Sequence, residues 1–168
     1  MMEEEKKYDL DGQEVITDAL MKLINRYPGL SSEDTIKFSI LGEDNGKAIF
    51  PVSGAMVETE KNTITGKVIQ ECLYPFYVIY RAAGLSEHRK ASVKEWLDNL
   101  GKWLERQKIV VNNTEYRLDD YPSLTGDRKF LSIKRNTPSY LDSTNENMSE
   151  NWAIYISARY QNIFYKNK

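Results

Sequence analysis

The chain of 168 residues is 40% hydrophobic and 29% charged, with a net charge of −2. This length suits a single domain, residues 1–168, with a sizeable core, and the slightly acidic balance argues against nucleic-acid binding over most of the surface. The single cysteine cannot form an internal disulfide, no apolar stretch approaches the ~18 residues of a membrane span, and the N-terminus does not resemble a signal peptide. We therefore expect a protein that is made in a cytosol and enters no membrane.

The first expected elements are a tail and a helix. Residues 1–10 are polar and charged, which predicts a flexible tail. A helix is expected from about 12 to 27, with Asp11 as its N-cap and Pro28-Gly29 at its end. The apolar residues of this helix cover about half of its circumference, which is typical of a helix that lies flat on a sheet.

Two short strands are expected next, joined as a hairpin. Residues 35–41 alternate between apolar and polar side chains, which indicates a half-buried strand. The sequence GEDNG at 42–46 predicts a hairpin turn, so that 47–52 return beside the first strand. Pro51 indicates an edge position or a bulge. The side chains expected on the buried face of the first strand are Ile36, Phe38 and Ile40.

The following segment, 54–74, predicts a hairpin whose role is left open. Its alternation of polar and apolar residues is weak, so neither face is clearly marked for burial. A strand that continued unbroken from 64 to 80 would be about 56 Å long, which is long for a domain of this size. We therefore expect Pro75 to break or bend it. The segment is either an ordinary bent hairpin or one that projects toward another subunit.

A strong helix is predicted over 86–106. Ser86 is a natural N-cap, and a stripe of apolar residues at steps of three and four indicates one buried face. Gly101 borders this stripe, which suggests close packing against a neighbouring element. After the helix we expect a small hairpin at 109–118, a strand at 128–135 after a loop, and a polar loop at 136–151.

The last strand, 152–164, alternates clearly and is expected at the centre of the sheet. The predicted order is α-β-β-β-α-β-β with a minor hairpin. This is an α+β fold, in which two main helices pack on a mostly antiparallel sheet. The predicted core residues are Phe38, Trp96, Leu97, Leu100, Leu104, Ile154 and Ile156.

The residue types that carry chemistry are sparse. His88 is the single histidine, and in the first turn of a helix it is expected to be exposed. Cys72 lies in an apolar stretch and is expected to be buried and inert. Asp119-Asp120 could bind a cation, but adjacent carboxylates point apart, so we expect a solvated turn. No phosphate-binding or nucleophile motif occurs. We expect no metal, no cofactor and no enzymatic activity.

Two basic pairs, Arg128-Lys129 and Lys134-Arg135, lie at the two ends of one predicted strand. Four positive charges placed in this way could contact DNA or an acidic partner. They could equally protect a sheet edge from aggregation. Both interpretations stay open, and these four residues form the candidate basic patch.

Several stretches resemble one protein family: FPVSGA at 50–55, CLYPFYVIYRAAGLSEHRKASVKEWLDNLGKWLE at 72–105, LTGDRKFLSIKRNTPSYLD at 124–142 and ENWAIYISARYQN at 150–162. They are similar to small minor-capsid or tail-completion proteins from prophages of Gram-positive gut bacteria. The order of elements is also similar to that of tail terminator proteins of long-tailed phages. These stretches carry packing patterns and no catalytic signature, so they indicate a family rather than an activity.

The resemblance implies a structural virion protein that is made in the cytoplasm of the bacterial host. It implies a homo-oligomeric ring, of six subunits, where the tail tube meets the head. The implied partners are further copies of the chain, tail-tube proteins and head-connector proteins, with DNA contacted only as it passes through the ring. Within this hypothesis, the hairpin near 54–74 and the loop near 136–151 are the predicted subunit contacts. Their candidate residues are Glu58, Glu60, Lys61, Lys67, Tyr140 and Asp142.

Sequences of this kind are sometimes labelled as chloramphenicol resistance proteins, which gives an alternative function. The chain would then be an enzyme or small-molecule-binding protein with an unrecognised site. Acetyltransferases of that class use a histidine base in an HHxxxDG motif. The only histidine here, His88, lies in the sequence EHRKAS, so the residues favour the structural role.

Overall fold

A computed structural model describes residues 6–166 and shows two helices packed on a mostly antiparallel sheet. This confirms the predicted α+β fold. The elements are α1 (Gly12–Ile24), β1 (Ile36–Phe38), β2 (Gly46–Pro51), β3 (Met56–Asn62), β4 (Lys67–Ala82), α2 (Glu87–Leu104), β5 (Ile109–Val111), β6 (Thr114–Tyr116), β7 (Arg128–Arg135), β8 (Tyr140–Thr144) and β9 (Glu150–Tyr165).

Two long strands, β4 and β9, form the centre of the seven-stranded sheet. Each has 16 residues, and they pair antiparallel along their full length, from Lys67 opposite Tyr165 to Ala82 opposite Glu150. The other side of β4 pairs with β3 at one end and with β2 at the other. The other side of β9 pairs with β7 and β8. The central position predicted for the last strand is therefore confirmed.

Of the two effects expected at Pro75, a break or a bend, the break does not occur, because β4 runs through Pro75 without interruption. The carbonyl of Pro75 accepts a hydrogen bond from the Val52 amide at 3.0 Å. In an antiparallel strand, the N–H and C=O of one residue point to the same neighbour. The missing N–H of Pro75 therefore points to the gap between the end of β2 and the start of β3, and no bond to β9 is lost.

The predicted hairpin between β1 and β2 is also wrong, since the two strands pair in parallel with Ile36 opposite Lys47. A parallel neighbour requires the chain to travel back before the second strand begins, so residues 39–45 are used as this connection. Ser39 takes a positive φ of 53° at the end of β1. The strand is consequently only three residues long.

The shorter β1 corrects one predicted core residue. Ile36 is fully buried, but Phe38 is 46% exposed and Ile40, beyond the strand, is 60% exposed. Phe38 is the last residue of β1 and Ile40 lies beyond it, so both apolar side chains lie where the chain leaves the sheet. The expected alternation is therefore present in the sequence but is not used for burial.

The helices cover one face of the sheet, which we call the helix face. It is formed by the even-numbered residues of β4 and β9. On this face the hydroxyls of Tyr74 and Thr17 share a hydrogen bond of 2.8 Å, which joins β4 to α1. The predicted core residues that are fully buried are Leu97, Leu100, Leu104, Ile154 and Ile156. Trp96 is only partly buried, and it packs edge-on against Tyr27 at 5.1 Å between ring centroids.

Gly101 allows α2 to approach the sheet closely, as predicted. A Cβ atom at this position would lie 2.7 Å from Cγ of Arg135 and 3.0 Å from Cδ1 of Ile154. Real Cβ atoms essentially never lie under 3.0 Å from another heavy atom, and a contact of 3.0 Å is already tighter than most. Gly101 lowers the helix propensity of α2, but because it has no side chain it allows α2 to contact strands β7 and β9.

The opposite side of the sheet, which we call the open face, is formed by the odd-numbered residues of β4 and β9 and their neighbours. Neither helix packs on this face within residues 6–166. It carries both apolar side chains, such as Ile79, and polar ones, such as Gln161. Tyr77 and Tyr155 stack there with their ring centroids 4.7 Å apart and their planes inclined by 21°, and neither ring belongs to the buried core.

Part of the predicted N-terminal tail is ordered against the sheet, so that prediction is wrong for residues 7–9. The amide of Val57 donates to the Lys7 carbonyl at 2.8 Å, and the amide of Asp9 donates to the Ala55 carbonyl at 2.7 Å. Residues 1–5 of the predicted tail lie outside the described residues. The segment 7–9 thus adds backbone hydrogen bonds to the start of β3.

The predicted polar loop at 136–151 is wrong as well, because it contains β8 and the start of β9. The polar side chains are used at the turn between these strands. The Asn145 amide group donates to the Ser149 hydroxyl at 2.8 Å, and the Asn151 amide group donates to the Asn145 side-chain oxygen at 3.2 Å. Polar residues that looked like a loop in the sequence therefore stabilise a hairpin.

Candidate functional site

The candidate contact residues on the 54–74 hairpin divide into two kinds. Glu58 forms an ion pair with Arg159 of β9, so its charge is balanced within the chain. Lys61 is exposed and Lys67 is half-buried, and neither forms an ion pair with another residue in 6–166. The two lysines are therefore the charges that this hairpin can offer to a partner.

Glu60, the fourth candidate on the hairpin, connects three segments. It accepts hydrogen bonds from Lys7 at 2.7 Å and from the side-chain amide of Gln70 at 2.8 Å. These bonds, first that of Lys7 and then that of Gln70, hold the pKa of Glu60 below its ordinary value. Glu60 therefore helps to hold the N-terminal segment on the sheet and is less suited to binding another subunit.

The two candidates on the other contact element, Tyr140 and Asp142, lie on β8. Tyr140 is half-buried near Tyr77, and burial followed by the proximity of Tyr77 raises the pKa of its hydroxyl. Asp142 is exposed and accepts a hydrogen bond of 3.4 Å from Ser143. Tyr140 belongs to the open face, because it pairs with Ala153 of β9.

The two contact elements lie at diagonally opposite corners of the sheet. Strand β3 pairs with β4 near Lys67, at the end where β4 begins and β9 finishes. Strand β8 pairs with β9 near Glu150, at the opposite end and on the opposite side of the central pair. The structure therefore does not bring the candidate contact residues together; it separates them by almost the full length of the sheet.

The two arginines of the candidate basic patch are neutralised on the helix face. Arg128 donates to both oxygens of Asp9, at 2.9 and 2.8 Å. Arg135 forms an ion pair with Glu105 at the end of α2, with a distance of 2.7 Å between its guanidinium and a carboxylate oxygen. The free charge of the patch is accordingly smaller than the sequence indicates.

The two lysines of the patch, Lys129 and Lys134, point to the other side. Successive side chains on a strand point to opposite faces, so each lysine lies on the open face next to an arginine on the helix face. Both lysines are exposed, and neither has an ion-pair partner in 6–166. The structure therefore does not form one patch of four charges.

A buried cluster around Asp9 was missed by the sequence reasoning. Its carboxylate also accepts hydrogen bonds from the Tyr160 hydroxyl at 2.7 Å and from the Gly12 amide at 3.1 Å. Burial alone raises the pKa of Asp9, but the bonds from Arg128 and Tyr160 outweigh burial and hold this pKa below its ordinary value. Asp9 thus takes the capping role predicted for Asp11, whose side chain makes no cap hydrogen bond.

The side chains considered for chemistry lie in different surroundings. His88 is exposed and Cys72 is buried, and burial raises the pKa of the Cys72 thiol to about 11. No three His, Cys, Asp or Glu side chains in that part of the chain could hold a metal ion together. A surface cleft of about 690 Å³ is lined by Asp120 and by Arg106, which form a 3.6 Å ion pair, and it contains neither His88 nor Cys72.

Comparison of the sequence with known protein families and with curated proteins gives no match. Within residues 6–166, neither helix has the length and apolar character needed to cross a membrane. The resemblance to phage proteins therefore stays a prediction that rests on the sequence stretches that carry it.

Proposed function

We propose that this chain is a structural protein of a tailed phage or prophage particle, of the tail terminator or head–tail joining kind. In this role, copies of the chain form a ring, of six subunits, between the tail tube and the head connector. The protein acts in the virion after synthesis in the bacterial host, and DNA contacts it only in passage through the ring.

The observation that carries this proposal is the position of the two contact elements at opposite corners of the sheet. A ring requires head-to-tail contacts, in which one surface of a subunit meets a different surface of the next. Two unlike elements at opposite corners satisfy this requirement, because each copy can present β3 to one neighbour and β8 to the other. A single contact element would favour a closed pair instead.

The chemistry of the two elements supports the same proposal. The hairpin presents the unpaired charges of Lys61 and Lys67, while the β8 hairpin presents the exposed carboxylate of Asp142. Opposite charges on two separated surfaces favour contact between neighbouring copies. Both elements are also sheet edges, which are suited to adding a strand from a neighbour.

The test is a variant in which Glu58–Gly66 is replaced by a short turn, assayed for tail completion in a phage or prophage that carries the gene. We expect folded protein that leaves tails overgrown or without heads. The matched control shortens the β5–β6 turn at Asn112-Asn113, which lies in a separate sheet. Tails of normal length with attached heads in the first variant would contradict the proposal.

A second variant, which changes only the charge of one side chain, tests the same contact without removing part of the fold. Lys61→Glu changes an exposed side chain and should leave the fold intact, but it should weaken the contact with Asp142 of the next copy. A compensating Asp142→Lys in the same chain should restore tail completion. If Lys61→Glu completes tails as well as the unchanged chain does, this pairing of β3 with β8 is wrong.

A further inference from the structure

The open face carries an apolar and aromatic surface that the ring contacts do not use. Phe50 of β2 pairs with Tyr77 and so lies in the same row as the stacked Tyr77 and Tyr155, and in the next row of this face Ile79 pairs with Ala153. Phe50, Tyr77, Ile79 and Tyr155 are only partly buried. A contiguous apolar surface of this kind marks an interaction site in a soluble protein.

Two charges of opposite sign lie in one row of the same face. Glu71 of β4 lies opposite Gln161 of β9, which lies opposite Lys129 of β7. This row is therefore negative on the β4 side and positive on the β7 side. Glu71 and Lys129 are both exposed, and neither is ion-paired within the described part of the chain.

The next row repeats this arrangement with the signs reversed. Lys61 of β3 lies opposite Ile69, which lies opposite Ile163 of β9. Asp127 is next to Ile163, since its carbonyl accepts a hydrogen bond of 3.1 Å from the Ile163 amide. Lys61 and Asp127 are both exposed. A surface that is complementary to this face must therefore carry the same rows with their two sides exchanged.

We infer that a second copy of this chain covers the open face, related by a two-fold axis that runs parallel to β4 and β9 and between them. Rotation about this axis keeps each row in place and exchanges the two sides of the sheet. Lys61 of β3 then faces the partner's Asp127, and Glu71 of β4 lies one strand spacing, ~4.8 Å, to the side of the partner's Lys129, within reach of the long lysine side chain. The Tyr77–Tyr155 pair meets its own copy at the centre, as in a sandwich of two aligned sheets.

The area of the face suits a stable dimer. It is four strands wide over most of β4 and β9, which at ~4.8 Å between strands and ~3.3 Å per residue gives roughly 14 by 50 Å. This is on the order of 700 Å², close to the ~800 Å² that each partner buries in a stable complex. The contact differs from the proposed ring contact, because it uses the face of the sheet rather than its corners, although Lys61 contributes to both.

The first experiment measures the mass of the purified full chain by analytical ultracentrifugation. We expect a species of twice the 19.5 kDa chain mass at protein concentrations of about 50 μM, in the range of ordinary micromolar association. Tyr77→Glu should shift it to the monomer. The matched control Val110→Glu, on the exposed β5–β6 hairpin, should leave the dimer unchanged. A monomeric unchanged chain at this concentration would overturn the inference.

A second experiment distinguishes this face-to-face dimer from any other. Glu71→Lys places two positive charges together at both ends of the symmetric contact, and Lys129→Glu places two negative charges together, so each variant alone should dimerise at least about tenfold more weakly. A mixture of the two variants restores both attractive pairs. We therefore expect heterodimers in the mixture, detected by native mass spectrometry. Failure of the mixture to associate better than either variant alone would overturn the inference.

These outcomes are separate from those of the ring. Loss of the dimer in the Tyr77→Glu variant concerns only the open face. Lys61 contributes to both contacts, but rescue of tail completion by Asp142→Lys in the Lys61→Glu variant concerns only the ring. A chain that dimerises through the open face but completes no tails would overturn the proposed function alone. A chain that completes tails and never dimerises would overturn this inference alone.

Discussion

The two faces of β4 and β9 are built from the same strands, but they are used differently. On the helix face, Tyr74, Phe76 and Ile156 are fully buried beneath α1 and α2. On the open face, Tyr77 and Tyr155 stack on each other and stay partly exposed. Apolar side chains on both faces of an antiparallel sheet indicate that both faces are buried against another element or molecule. The difference teaches that one cover is part of the chain, and under our inference the other is a second copy.

The largest effect is expected where the helix face buries charge. Asp9→Ala removes the partner of Arg128, whose side chain is only 15% exposed, and it also leaves the buried Tyr160 hydroxyl without its acceptor. Removing one member of a buried pair typically costs about 3–5 kcal/mol. We expect a loss of this size in the free energy of unfolding, measured by chemical denaturation.

The control for Asp9→Ala is Glu115→Ala, which removes an exposed ion pair with Lys108 whose side chains are 57% and 64% exposed. Surface pairs contribute about 1 kcal/mol or less. Equal losses in the free energy of unfolding of the two variants would show that the Asp9 cluster stabilises the helix face no more than an exposed ion pair does.

A pair of isoleucines tests the apolar part of the same comparison. Ile154 is fully buried on the helix face, whereas Ile79 is partly exposed on the open face. The two are close in the sheet, because Ile79 pairs with Ala153, the residue before Ile154. Ile154→Ala should cost about 2–5 kcal/mol, the usual range for a buried aliphatic residue. Ile79→Ala should cost clearly less in the monomer, where solvent already reaches the side chain.

Both isoleucine variants are measured in the Tyr77→Glu background, so that dimerisation does not contribute to the free energy of unfolding. A loss at Ile79 as large as that at Ile154 would mean that the open face is covered within the chain. That result would remove the reason for a partner on this face.

The helix face was largely predictable from the sequence, because its signals are local. The stripe of α2 fixes which side of the helix is buried, and Ser86 caps it as expected, accepting a bond from the Arg89 amide at 3.3 Å. The alternation in β9 fixes its buried side in the same way. Leu100 and Ile156 are fully buried for these reasons.

Strand partners and ion-pair partners could not be predicted, because they depend on distant parts of the chain. Nothing near Ile36 indicates that β1 pairs in parallel with β2, since that depends on the path of residues 39–45. Pro75 is tolerated because β2 and β3 meet beside it. Asp9 is paired with Arg128, which lies 119 positions away. The alternation of a strand predicts its faces, but it does not identify its neighbours or what covers it.

The smallest effect on stability is expected at Lys134 and Arg135. These adjacent residues lie on opposite faces of the sheet, Lys134 on the open face and Arg135 on the helix face. Arg135 binds Glu105 through its guanidinium and its own amide, the latter at 3.0 Å, and its side chain is 25% exposed. Arg135→Ala should therefore destabilise the protein by about 1–3 kcal/mol, as expected when a hydrogen bond to a charged group is lost. Lys134→Ala should change stability by less than about 0.5 kcal/mol, as for other surface positions.

The same two variants also test the basic patch. If the patch binds DNA, Lys134→Ala should weaken binding and reduce its salt dependence, whereas Arg135 is already neutralised by Glu105 and should contribute little. Electrophoretic mobility shifts at two salt concentrations measure this difference. If Arg135→Ala weakened DNA binding more than Lys134→Ala while the fold stayed intact, Arg135 would have to leave Glu105 to reach the DNA. The assignment of the two side chains to opposite faces would then hold only for the protein without DNA.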